Sequence, residues 1–355
     1  MADMYVPVRA FFQELGFETV VPPAISKKTL DLGVKYSPEF ACLPFKINLG
    51  NFIEALERGA EIIVMGGGCG PCRFGYYAEV QEAILRELGY SFEMFVIEPG
   101  LFSNYKRIRN VFGNIPFHRL LPAARMAWKK AAAIDEIYRL VLKMRACEKK
   151  PGQVNKIYDA FIGEIDNTVS VDKIRLIKKE YEEKIKDSKA EYKRGIEIRI
   201  AIVGEIYLVL EPFVNLEIER RLGELGVVVE RELYITNWLL DFLNLSGERK
   251  LMERAAGKYL ANFVGGHGQD SIGHAVIYAE KAFDGVIQLA PFTCMPEIIS
   301  RSILPVVSRE EGIPVLSLFF DEHSADTGIQ TRLEAFVDLL ERRKILQEGS
   351  FCESR

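Results

Sequence analysis

One short stretch limits what this chain can fold into. The apolar run Glu61-Ile62-Ile63-Val64-Met65 stops at Gly66-Gly67-Gly68 and passes through Cys69-Gly70-Pro71-Cys72. A β-branched run that ends in glycines predicts a buried strand and a tight loop. Arg73 to Leu88 carries apolar residues at helical spacing, so a helix follows. Two thiols are thereby placed at the C-terminal end of a strand and the mouth of a helix, where open α/β sheets bind their ligands. The free N–H groups and partial positive charge of a helix start favour thiolate there.

The same alternation extends on both sides. Before it the patterns predict helices at Val8–Leu15, Ser26–Leu32 and Leu43–Arg58 and a strand at Phe17–Val21; after it, a strand at Phe92–Ile97 closed by Glu98-Pro99-Gly100. From about Leu120 to Tyr192 strand-like runs vanish and helical periodicity persists, broken at Lys150-Pro151-Gly152. The Lys178–Lys186 run there reads as a solvated helix face with pairs Glu180–Lys184 and Glu182–Lys186. A second alternating series follows. Its strands are expected at Ile198–Val203, Val227–Glu230, Gly285–Leu289 and Val315–Phe319. Helices are expected at Pro212–Leu225, around Trp238–Leu243, at Glu248–Phe263, from Gly265-Gly266-His267-Gly268 to Ala282, from Pro296, and from the Asp321–Gly328 loop to Lys344. The fold class is therefore α/β, with two Rossmann-like parallel-sheet domains facing each other and a helical segment between them. The expected boundaries are 1–118, 119–195 and 196–345, with a polar tail at 346–355.

At 355 residues, 48% hydrophobic and 27% charged, the chain has the make-up of a globular protein with a sizeable core. A net charge of -4 gives no general attraction to nucleic acid or anionic membrane. No apolar run reaches the ~18 residues of a membrane span, and Met1-Ala2-Asp3 does not open like a signal peptide. A cytoplasmic location is expected, where the six cysteines are free or metal-bound.

Cys294, in Pro291-Phe292-Thr293-Cys294, repeats the setting of Cys69: strand end, helix mouth. Cys42 stands just ahead of another helix. If the strand ends of two sheets face each other, Cys42, Cys69, Cys72 and Cys294 meet, and four soft ligands suit zinc or an iron–sulfur cluster. Zinc sites usually draw on two close pairs of ligands; one pair plus two distant thiols fits a larger cluster better. A lone CxxC also suits a redox pair or two buried small residues, and a lone Cys294 suits a core position. Cys147 and Cys352, in charged and polar surroundings, are not expected to be ligands. Polar groups share the same predicted edge: His267, Asp270 and His274 on one helix face, and Glu98, Glu205, Asp321, Glu322 and His323 after strands. His267 and Glu322 are candidate acid/base groups; Tyr76 and Tyr77 read as packing, and His274 as a helical histidine. Neither GxGxxG nor GxxxxGK[ST] is present, so nucleotide binding is unsupported.

The segments Ala41-Cys42-Leu43-Pro44-Phe45-Lys46, Met65 to Tyr77, Gly265-Gly266-His267-Gly268, Ala290 to Glu297 and Thr331 to Phe336 together resemble the 2-hydroxyacyl-CoA dehydratase subunits and their relatives. Those relatives include double-cubane cluster proteins and CoA protein activase-type proteins. The resemblance implies two Rossmann-like domains with an oxygen-sensitive 4Fe–4S cluster between them. It also implies a separate ATP-dependent activator that delivers a low-potential electron, an acyl-CoA as small-molecule partner, and dimers as the family precedent. Cys42, Cys69 or Cys72, and Cys294 match its three ligand segments. The dehydratases leave one iron open, whereas a fourth thiol here would close the cluster. That departure favours low-potential electron transfer or reduction, or a structural cluster. The competing expectations are a dehydratase subunit with an open iron, a zinc-stabilised or apo scaffold, and a Cys69–Cys72 disulfide couple.

Overall fold

The computed structural model describes residues 2–68, 70–98, 111–113, 115–242 and 248–352. Cys69, Pro99, Gly100 and Leu243 lie outside the described residues, as does the side chain of Cys352. Helices α1 (Tyr5–Glu14), α2 (Lys27–Tyr36) and α3 (Leu43–Glu57) precede strand β1 (Ile62–Gly66); a 3-10 turn, Arg73–Tyr76, then leads into α4 (Tyr77–Glu87) and β2 (Glu93–Ile97). β1 and β2 pair in parallel, Ile62 with Glu93 through Gly66 with Ile97.

The helical segment consists of α5 (Phe117–Met144), α6 (Gln153–Asn167) and α7 (Val171–Asp187). Its core includes Ile134, Ile137, Phe161, Ile165 and Ile185 together with Val6 and Ala10 of α1. The solvated face of α7 carries both expected pairs, Lys184–Glu180 and Lys186–Glu182.

The second series is β3 (Ile198–Gly204), α8 (Ile206–Leu210), α9 (Ile218–Glu224), β4 (Val227–Arg231), α10 (Ile235–Phe242), α11 (Glu248–Gly257), α12 (Gly268–Glu280), β5 (Gly285–Pro291), α13 (Met295–Glu310), β6 (Val315–Phe320) and α14 (Asp326–Cys352). Among the described residues its sheet has the order β4-β3-β5-β6, all parallel. In a doubly wound sheet of this order the chain reverses direction between β3 and β5, and ligands bind outside the strand ends at that switch point. Glu205 and Cys294 follow those two strands. Gly204, at φ +139°, lets the chain turn there: a Cβ on it would fall 2.0 Å from the Leu289 carbonyl oxygen, so only glycine fits.

Helix α3 is buried on two faces. Leu43 and Ile47 belong to one core with Ile198, Ile200, Ile287 and Leu318 of the large sheet. Phe45, Leu49, Ile53 and Leu56 belong to another with Ile63, Met65 and Leu85. A fully buried side chain of this size contributes about 1.5–3 kcal/mol, so the helix that begins after Cys42 is anchored to both sheets. The cores thus interleave across positions 118 and 195, with α1 in the helical core and α3 in both sheet cores.

Four local expectations are corrected. Phe17–Val21 forms no strand: Gly16 turns the chain at φ +92° and Phe17 packs edge-on against Phe12 and Phe112. The helix expected from Pro212 starts only at Ile218, because Leu216 and Glu217 adopt left-handed φ of 58° and 57°. Helix α8 was not expected; its sequence Ile206-Tyr207-Leu208-Val209-Leu210 has strand-like composition, but the Glu205 side chain caps it by accepting from Leu208 N at 3.1 Å. The last helix, expected to end at Lys344, runs on as α14 to Cys352.

Candidate functional site

Four of the predicted site residues share one setting, the start of a helix. Cys42 is the N-cap of α3, Cys72 of the 3-10 turn before α4, His267 of α12 and Cys294 of α13. Glu205 caps α8. Each thiol lies beside the free N–H groups of its own helix start, with Phe45 N–H near Cys42, Phe74 N–H near Cys72 and Glu297 N–H near Cys294.

Contacts across the cleft draw the thiols together. Glycines 265 and 266, at φ +93° and +48°, lie against Cys72: Cβ atoms on them would fall 2.9 Å from the Cys72 nitrogen and 3.8 Å from its sulfur. The Gly266 Cβ would also meet Pro296, two residues beyond Cys294, at 3.2 Å. Arg73 donates to the Phe40 carbonyl at 2.8 Å and to the Thr293 carbonyl. The Cys42 sulfur contacts the Tyr77 hydroxyl, and Tyr77 packs edge-on against Phe45 and Phe74 at 5.0 and 5.3 Å.

Burial raises all three thiols. For Cys42 it outweighs the hydrogen bond from Tyr77, with Glu205 raising and Arg73 lowering the thiol further. Cys72 follows the same order, with a Phe74 backbone bond in place of Tyr77. Cys294 is pushed up furthest, by burial and then by Glu297, Glu205 and Cys42. Glu205 therefore interacts with all three thiols. Its own carboxyl is raised by burial, against its backbone bonds and His267. A redox CxxC needs a depressed thiol; Cys72 is displaced the other way. Neutral buried thiols of this kind ionise on taking up a metal centre, which supplies the missing positive charge.

Behind Cys294 lies a closed polar network. The fully buried Glu297 carboxylate accepts from Ser271 at 3.0 and 3.1 Å and from Gln288 at 2.8 Å. Ser317 in turn donates to Gln288 at 2.7 Å. The network ties α12, α13, β5 and β6 together, and burial raises Glu297 to about 8. Thr293 Oγ1, one residue before Cys294, is buried with no partner among the described residues, an orphan that a bound ligand would satisfy.

Of the two acid/base candidates, His267 is half-buried at the cleft, near Glu205. Glu322 is committed to Lys46 of α3 at 2.5 Å, a pair whose lysine is 3% exposed. Burial alone would raise Glu322; the Lys46 hydrogen bond and charge outweigh it and hold the carboxyl below its ordinary value. A group held ionised is a poor general acid. His274 packs its ring near Tyr278, and Tyr76 is exposed. The sequence reading gave Tyr77 to packing, whereas its hydroxyl also meets Cys42. Cys147 is buried in the helical segment, away from the cleft. Among the described residues no three His, Cys, Asp or Glu side chains stand ready to hold a metal ion; Cys69 is not among those residues. The donor set otherwise suits an iron–sulfur cluster: soft, desolvated thiols, backbone N–H groups from helix starts, glycine walls and an orphan hydroxyl.

The fold is one of parallel α/β sheets, with Glu205 and Cys294 following the two strands that flank the topological switch point. The 2-hydroxyglutaryl-CoA dehydratase D-component family matches residues 105–340, well over half the chain, and the chain belongs to that family. The CoA enzyme activase uncharacterised domain matches residues 1–65. Cys42 falls in the first of these spans in sequence order and Glu205 and Cys294 in the second, with the Cys69–Cys72 loop between them. No curated protein matches the chain in sequence.

Proposed function

We propose that this member of the dehydratase D-component family is an iron–sulfur protein, holding a 4Fe–4S cluster through Cys42, Cys72, Cys294 and Cys69. It would act in low-potential electron transfer or reduction beside a separate ATP-dependent activator, in the cytoplasm. What supports this reading is that three sequence-distant cysteines are each a helix N-cap, that Gly266 lies against both Cys72 and Pro296, and that Arg73 bonds the segments before Cys42 and Cys294. The cluster, when bound, supplies one-electron redox chemistry at low potential. The chain's residues do the rest. The Tyr77 hydroxyl, pushed well above its ordinary value by burial and by Cys42, meets the Cys42 sulfur. The Glu297 network fixes the start of α13, whose backbone N–H at Glu297 bonds the Cys294 sulfur. Helix starts and Arg73 offset negative charge, and the aromatic neighbours Phe45, Phe74 and Tyr77 limit water. The CoA enzyme activase match supports a partner of activator type.

A second reading, a dehydratase subunit that binds an acyl-CoA, is favoured by the name of the matching family. It requires one iron without a thiol, with His267 as the nearby acid/base group. Titrating anaerobically reduced protein with an acyl-CoA separates the two by EPR. An unchanged signal supports electron transfer alone, and a shifted signal with tight binding supports the dehydratase reading. Protein without any cluster signal would refute both.

A further inference from the structure

We propose that Arg73 is the positioning residue that sets the spacing of the thiol-bearing segments across the cleft and places a fixed positive charge beside the centre they hold. The inference rests on the cluster reading above. Arg73 directly follows Cys72 in the chain. Its Nη1 donates to the carbonyl of Phe40, two residues before Cys42, at 2.8 Å. Its Nη2 donates to the carbonyl of Thr293, the residue before Cys294. One guanidinium therefore touches the segments of all three described thiols of the site.

The geometry calls for arginine. A guanidinium is a rigid planar fork whose donors keep a fixed separation, so bonding two carbonyls fixes the distance between them. A lysine ammonium is a point donor on a flexible stem and cannot hold both carbonyls at a set spacing. The side chain is exposed, so charge alone gives little reason for the contact; the fork does. The Cys72 arm also has the lighter local support of the two strand-end arms, because Gly70, Pro71 and Arg73 are themselves exposed. The Thr293 carbonyl gives that arm a purchase on the large sheet. The charge has a second effect, because the guanidinium belongs to the residue after Cys72 and bonds the segments just before Cys42 and Cys294. A cluster gains negative charge when reduced, so loss of the cation makes reduction harder.

The test uses anaerobically prepared wild type, Arg73→Lys, Arg73→Gln and Cys294→Ser, each checked by circular dichroism. Iron and sulfide per chain, the EPR spectrum and the midpoint potential are measured. Outer-shell partners of a metal centre typically change its affinity by about tenfold or more, and both Arg73 variants are expected to lose iron on that scale. Arg73→Lys keeps the charge, so its residual cluster retains the wild-type potential; Arg73→Gln shifts to a more negative potential. If Arg73→Gln does not fold, Arg73→Lys alone decides through its iron content. Wild-type loading and an unaltered EPR spectrum in Arg73→Lys would overturn the inference while leaving the cluster reading intact. Wild-type protein without iron, or Cys294→Ser with an unaltered spectrum, would overturn the cluster reading and the inference together.

Discussion

The Cys294 arm and the Cys72 arm use the same parts with different support. Both place a thiol after a parallel strand, a short loop and a helix start. β5 is buried along its whole length between β3 and β6. Its loop is pinned by Phe292 N to the Phe320 carbonyl at 2.9 Å and by Cys294 N to the Pro291 carbonyl at 3.0 Å. Glu297 braces the helix from beneath. β1, in contrast, alternates half-buried and buried residues and pairs with β2 alone among the described residues. Its thiol loop leans across the cleft on Gly265, Gly266 and the Thr293 carbonyl. One arm is held by its own sheet and the other by its partner across the cleft, so the site depends on the two units being docked.

Substitutions can break this contrast. The largest stability effect is expected for Glu297→Ala, which leaves the Ser271 hydroxyl unpaired inside the core and strips Gln288 of one of its acceptors. A loss of about 3 kcal/mol or more follows, read from the denaturation midpoint. A loss under about 1 kcal/mol would mean that the network does not brace the Cys294 arm. The docking pair Lys46–Glu322 should respond unequally. Glu322→Ala strands a buried ammonium and should cost about 3 kcal/mol. Lys46→Met leaves a carboxylate that is 21% exposed and can rehydrate, so about 1 kcal/mol is expected. Equal costs would place the pair outside the docking contact.

The same pair gives a pH dependence. The folded Glu322 carboxyl lies below its ordinary value of 4.5, so the unfolded chain takes up the proton first as pH falls. The stabilisation is complete above that value and fades as pH drops through the lower folded one. An acid titration of stability should therefore be shallower in Glu322→Gln, by about 1 kcal/mol at most. The smallest effect is expected in the lightly supported arm: Tyr76→Ala, at a residue 74% exposed, should stay within about 0.5 kcal/mol of wild type. A larger loss would show that this arm carries more local packing than its burial indicates.

What the sequence revealed was local. Glycines after a β-branched run place Cys72 at a strand end, and Pro296 after Cys294 marks a helix start; both patterns are legible within a few residues. The i,i+4 pairs on α7 are legible for the same reason. Helix α8 was hidden because Tyr207-Leu208-Val209-Leu210 has strand composition and its decisive signal is a single capping carboxylate. Phe17–Val21 has strand residues but pairs with no strand among the described residues. Long-range contacts leave no local trace: Lys46 meets Glu322 across 276 positions, and Arg73 meets Thr293 across 220. Glu205 could be recognised as polar at a strand end, but not as the cap of α8.

Iron and sulfide quantification with EPR on anaerobically purified wild type and Cys294→Ser tests the central claim most directly. The account predicts about four iron and four sulfide per wild-type chain, and loss or alteration of the cluster signal in the variant. Wild-type protein carrying zinc or no iron, or a variant with the wild-type spectrum, would contradict it.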